Sequence, residues 1–198
     1  MTEDMTSEER AVVDRRVEIT FGGHTPWGPA QYGRQFAPGV REVSTPGHGG
    51  LLLDAKRNAM VHPAWRNVDG AYEEDSAWAV VAHTFPDLFI ASERKSADES
   101  LRDWMPGEYM AITGTKLTAA DSFRLAREAF DALHADDFVV VSAIGEDDGS
   151  VTCTATRGGI RRNLGAAPCY RVPADEYDAR QWQFGFVIDP ARHPLIPA

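Results

Sequence analysis

The heptapeptide STPGHGG, residues 44–50, sets one imidazole between two glycines and directly before the apolar run Leu51, Leu52, Leu53. Glycine on both sides of His48 permits backbone angles closed to other residues and leaves room for a ligand beside the ring. An imidazole titrates near pH 6.5, so His48 is a candidate general acid or base. Ser44, Thr45, Gly49 and, upstream, Trp27 are the neighbouring candidates for ligand contact.

Acidic chemistry comes from YEED, residues 72–75. The spacing of Trp78, Val81, Ala82 and Phe85 predicts an amphipathic helix that begins at Tyr72 and stops at Pro86. Projected at about 100° per residue, Glu74 falls inside that apolar stripe, Asp75 lies at its border and Glu73 points away. A carboxylate on a covered face needs a partner, which makes Glu74, with Asp75 beside it, the candidate to work with His48. The competing reading is that three acids merely complement the positive end of the helix.

Other constellations are weaker. RGGIRR, residues 157–162, offers Arg157 and Arg161 to a phosphate or carboxylate, without the spacing of a phosphate-binding loop. His83 projects about 180° from Glu74, so one ion cannot join them on a helix. His48, Glu74 and Asp75 would form a nitrogen and oxygen donor set, but no dense ligand motif surrounds them, so neither a metal nor a cofactor is expected. His24, His62, His134 and His193 read as isolated, solvated or locally bonded histidines.

The elements that must position these groups follow from periodicity. A helix is expected over 7–14 and a strand through Val17, Ile19 and Phe21. Residues 24–40 read as an irregular loop pinned by Trp27, Tyr32 and Phe36. Extended runs over 41–45 and 50–53 flank the His48 turn, and Asp54 caps a brief helix. A weaker helix covers 97–105. Another opens at Thr118, with Asp121 in a box-like arrangement, and buries Phe123, Ala126, Phe130 and Leu133. Residues 138–144 suit a central strand, GEDDGS turns into an alternating strand over 151–155, and WQFGFVID predicts a last strand with Trp182, Phe184, Phe186 and Ile188 on one side. Strands at both ends with helices between them predict an α+β fold, a mainly antiparallel sheet with helices on one face. It forms a single domain over 16–198 behind an acidic leader, 1–15.

With 198 residues, 43% hydrophobic and 25% charged, the chain has the composition of a globular protein. No apolar run reaches the roughly 18 residues of a membrane span, and the acidic start is unlike a secretory signal, so no membrane partner is expected and the location is cytoplasmic. Two cysteines, Cys153 and Cys169, lack the clustering of disulfide or zinc frameworks and read as reduced thiols. A net charge of −10 argues against direct nucleic-acid binding and fits a basic partner.

Taken in order, TPWGPAQ (25–31), STPGHGG (44–50), YEEDSAW (72–78), FPDLF (85–89) and FGFVIDPARH (184–193) resemble a family of uncharacterised proteins from bacteriophages, plasmids and integrated mobile elements. The resemblance implies a genomic setting and assigns no catalytic residue. On that basis the first expectation is an interaction protein that binds a host or defence-system protein through an acidic and aromatic surface. Anti-restriction and anti-CRISPR action are examples of that class. The alternative is a small hydrolase or transferase using His48 and Glu74 as an acid/base pair. A third reading makes the two motifs mutual structural supports.

Overall fold

Glycines at 49 and 50 decide how the first sheet is built. A Cβ on Gly49 would stand 2.7 Å from the Val43 carbonyl oxygen, and one on Gly50, at φ +156°, would stand 2.7 Å from the Trp27 ring and 2.9 Å from Glu73 Cα. Only hydrogen fits there, and its absence of bulk lets three strands and an indole converge on one turn.

The computed structural model describes residues 5–20, 22–162, 164–180 and 184–197. Two units emerge, Met1–Arg124 and Leu125–Ala198, and each is described by itself. The first runs α1 (Ser7–Asp14), β1 (Val17–Ile19), β2 (His24–Thr25), β3 (Gly28–Pro29), β4 (Tyr32–Ala37), β5 (Val40–Ser44), β6 (Gly49–Leu53), α2 (Ala55–Asn58), β7 (Ala71–Glu73), α3 (Trp78–Thr84), α4 (Ala91–Trp104) and α5 (Pro106–Thr113). Its five-stranded sheet has the order β1-β4-β5-β6-β7, antiparallel throughout, with β2 and β3 as a separate two-stranded hairpin.

Side-chain alternation explains how the sheet is covered. Phe36, Val40, Leu51 and Leu53 turn into a core with Tyr72, Val80, Val81, Phe85, Phe89 and Leu101. Each fully buried aliphatic or aromatic side chain there contributes about 1.5–3 kcal/mol. Asp54 caps α2 by accepting from the Arg57 N–H at 2.8 Å, as its position before a short helix predicts. At the sheet rim, Arg16 is enclosed, donates to both oxygens of Glu93 and stacks 4.1 Å from the Phe36 ring centroid.

The second unit takes most of α6 (Phe123–Leu133) and continues with β8 (Phe138–Gly145), β9 (Ser150–Arg157), β10 (Cys169–Pro173), α7 (Ala174–Asp178) and β11 (Leu195–Ile196). Its sheet order is β11-β10-β9-β8, again antiparallel. Val151, Cys153 and Ala155 of β9 meet Tyr170, Val172, Phe186 and Ile188 in its core. The chain therefore has an α+β fold with antiparallel sheets. No helix among the described residues is long and apolar enough to cross a membrane.

Several local expectations are corrected. Residues 32–37 form a strand rather than loop, because Gly33 and Phe36 pack inward while a register shift between Gln35 and Ala37 absorbs the irregular spacing. Strand β8 lies at the sheet edge, and its second half is exposed. Helix α6 starts at Phe123, since Thr118 and Asp121 close a turn on each other instead of opening it, and Phe123 and Leu133 are exposed. Residues 184–188 make a single bridge, Val139 to Val187, in place of a strand, although Phe186 and Ile188 are buried as expected. Phe21 and Trp182 lie outside the described residues.

Candidate functional site

His48 closes the β5–β6 hairpin, whose tip is Pro46–Gly47. The Thr45 N–H donates to the His48 carbonyl at 2.8 Å, and the Thr45 hydroxyl donates to the same oxygen at 2.7 Å while accepting the His48 N–H at 3.2 Å. Thr45 is buried, so this clamp is shielded from water, while the imidazole itself remains exposed. Thr45 is thus a positioning residue, and Ser44 stands exposed one residue earlier.

The acids arrive from β7, which pairs with β6 so that Glu73 faces Gly50. Tyr72 anchors that strand from below. Its hydroxyl donates to Asn58 Oδ1 at 2.7 Å and accepts the Asn67 N–H at 3.2 Å, and burial raises its pKa. Past Glu73 the chain turns, and the Glu74 N–H reaches back to the Gly49 carbonyl at 3.1 Å. A strand would send consecutive side chains to opposite faces, but the turn returns Glu74 to the side of Glu73.

One donor cluster results. His48, Glu73 and Glu74 each offer a ligand atom, all within 4.8 Å of one another. His48 Nδ1 is 3.6 Å from Glu73 Oε1, too long for a hydrogen bond. Glu73 Oε2 accepts the Asp75 N–H at 2.8 Å, which fixes the carboxylate, whereas Oε1 is enclosed and accepts no hydrogen bond.

Beside it lies a cavity of about 480 Å³, lined in part by Glu74, Ser44, Gly50, Arg34, Glu42 and Trp78. Arg34 Nε donates to Glu42 Oε2 at 2.9 Å across the β4–β5 pair. The wall thus combines an ion pair, a carboxylate and an aromatic face, the mixture by which small polar molecules are oriented.

The expected residues divide accordingly. His48 and Glu74 are together, with Thr45, Gly49, Ser44 and Trp27 around them. Trp27 lies against Gly50. Glu74 reaches the site from a turn, however, and is exposed; α3 does not begin until Trp78, so a covered helical face is not its setting. Asp75 contributes its backbone N–H and is absent from the donor cluster. Glu73 takes the place given to Asp75. Arg157 belongs to the second unit, where its guanidinium donates to the Asp136 carbonyl and stacks 5.0 Å from the Phe138 ring, and Arg161 is exposed in the following loop. His83 packs edge-on against Trp65, with ring centroids 5.0 Å apart, and is not in the cluster.

A second cavity, of about 430 Å³, lies in the second unit beside His193, Glu176, Arg180 and Arg192. His193 is buried, its Nδ1 accepts the Asp189 N–H at 3.0 Å and its Nε2 stands 3.1 Å from Glu176 Oε1. Accepting at Nδ1 assigns the ring proton to Nε2, so both nitrogens are satisfied and the ring acts as a brace.

Comparison with known proteins places this geometry in a family. The model of the Domain of unknown function (DUF7007) matches residues 20–135, more than half of the chain. The chain belongs to that family, and His48, Glu73, Glu74 and the cavity residues beside them all fall inside the matched segment. No curated protein and no solved structure matches it.

Proposed function

We propose that this member of the DUF7007 family is a small hydrolase or transferase whose reacting centre is the His48, Glu73, Glu74 cluster. The observation that carries the reading is the convergence of one imidazole and two carboxylates within 4.8 Å, one of them, Glu74, also lining a cavity of about 480 Å³. Acid/base catalysis requires groups within hydrogen-bond reach of the proton, directly or through one water. Water, or a substrate hydroxyl, held between His48 and Glu74 gives up its proton as its oxygen attacks the substrate, and the leaving group takes a proton back from the same pair. Glu73, its other oxygen fixed by the Asp75 N–H, adds a carboxylate 3.6 Å from the imidazole. Substrate is held by the cavity wall, with Arg34 and Trp78 the groups for a polar and a flat portion.

The test is turnover of p-nitrophenyl phosphate, bis(p-nitrophenyl) phosphate and p-nitrophenyl acetate by the wild type, His48→Ala and Glu74→Gln. Turnover of at least one compound, reduced about 100-fold or more in both variants, supports the reading. Equal rates in all three proteins overturn the assignment to this centre.

A second reading is favoured by the net charge of −10. Here the chain is a phage- or plasmid-borne interaction protein in the cytoplasm that binds a host or defence-system protein, its acidic surface imitating nucleic acid. Specific recovery of one partner from host extract at low and moderate salt supports it, and recovery of none counts against it.

A further inference from the structure

We infer that His48, Glu73 and Glu74 are ligands of one divalent first-row metal ion such as Mn²⁺ or Zn²⁺. The inference rests on the reading of this cluster as the reacting centre, and it names what the donor atoms gather around.

Three observations carry it. First, the set contains a nitrogen donor as well as two carboxylates, drawn from the β5–β6 hairpin turn and from the end of β7 with the residue after it, with the atoms within 4.8 Å of one another. Ligands of one such ion lie about 2.0–2.2 Å from it, hence at most about 4.4 Å apart. His48 and Glu74 are exposed, so small side-chain rotations bring their donor atoms within that limit. Second, the arrangement is not explained by bonds among the three residues. His48 Nδ1 and Glu73 Oε1 are 3.6 Å apart, and that oxygen is enclosed without any donor. Enclosed carboxylate oxygens ordinarily have donors or a cation before them. Third, the cluster is held from behind: Asp75 fixes Glu73 through its other oxygen and Thr45 clamps the backbone of His48. Such outer supports are what orient metal ligands.

Imidazole with carboxylates, and no thiolate, selects Mn²⁺, Fe²⁺ or Zn²⁺ over Ca²⁺ and Mg²⁺, which prefer all-oxygen shells. Three protein ligands leave positions for water and a substrate group on the cavity side. An ion held by the three residues would supply Lewis acidity that lowers the pKa of a bound water, and the Glu74 oxygen not engaged by the ion would then accept the proton in place of the His48 imidazole.

Calorimetric titration of the full chain with MnCl₂ and with ZnCl₂ tests the inference, beside thermal unfolding with and without each ion. The expected result is one ion per chain for the wild type and for Asp75→Asn, with affinity lowered about tenfold or more in His48→Ala, Glu73→Gln and Glu74→Gln. The ion should raise the wild-type unfolding temperature and leave that of Glu73→Gln unchanged. Absence of a saturable one-ion isotherm for the wild type overturns the inference, as do cluster variants that bind like the wild type. Turnover that persists in EDTA without bound ion overturns the metal and leaves the enzyme reading standing. A bound ion without turnover of any substrate does the reverse.

Discussion

Thr45 holds His48 by both backbone polar groups, donating to its carbonyl at 2.7 Å and accepting its N–H at 3.2 Å. The imidazole is therefore presented by a closed hairpin end, and Gly49 and Gly50 behind it permit the close approach of neighbouring strands.

Removing the Thr45 hydroxyl leaves the His48 N–H without its acceptor in a buried position. Thr45→Val should cost about 1–3 kcal/mol in urea denaturation and reduce both turnover and ion affinity, while Thr45→Ser retains them. A valine variant as stable and active as the wild type would show that the hairpin stands without the clamp.

The tip and the C-terminal end of the STPGHGG turn should tolerate bulk very differently. A Cβ at Gly47 meets nothing within 4 Å, whereas at Gly50 it collides with backbone of β7 and with Trp27. Gly47→Ala should be near neutral, and Gly50→Ala should lose about 3 kcal/mol or fail to fold. Comparable unfolding midpoints for the two would contradict the packing described.

Glu93 provides a pH prediction. Desolvation pushes its pKa up, but hydrogen bonds from Arg16 and from the Ile90 N–H, with the Arg16 charge, bring it below the ordinary glutamate value of 4.5. A carboxyl depressed in the folded state stabilises above its unfolded pKa, and that stability is lost as pH falls through the folded value. Wild-type unfolding temperature should thus drop on acidification below about pH 4.5, and Glu93→Gln should show a shallower acid limb. At pH 7 the variant should be less stable by about 2 kcal/mol, since partial exposure of Glu93 reduces the usual cost of stranding a buried arginine. Parallel acid limbs would exclude the pairing.

Cys153 is fully buried, and desolvation raises its thiol pKa to about 11. The thiolate is the reactive form, so native protein at pH 8 should leave Cys153 unmodified by iodoacetamide, and modification should appear only on denaturation. Rapid native alkylation at that position, read by peptide mass spectrometry, would contradict the core of the second unit.

Much of this architecture was legible from side-chain period. The β9 alternation, the strands flanking His48 and the Asp54 cap are local signals, and they hold. Local rules mislead at YEED: acids ahead of an apolar 3.6-residue stripe look like a first helical turn, yet pairing of Tyr72 with Leu51 and the bond to Asn58 take those residues into a strand. That nonlocal competition moved Glu74 from a covered helix face to an exposed turn and brought in Glu73, which projection had turned away. Pairing of His48 with Glu74 is a condition of the acid/base reading that the sequence leaves open, and the fold brings the two together through a turn instead of a helix face. Glu73 carried one available signal, its place two residues before an N–H it could cap. The β4 strand was hidden by Gly33 and a register shift.

Paramagnetic broadening by Mn²⁺ tests the central claim most directly. Substoichiometric MnCl₂ added to ¹⁵N-labelled protein should erase the amide signals of Thr45, of residues 47–50 and of residues 72–75 first, and Glu73→Gln should abolish that selectivity. Broadening that begins at other acidic stretches, such as Glu146–Asp148, or that spreads evenly over the chain, would contradict a centre built from His48, Glu73 and Glu74.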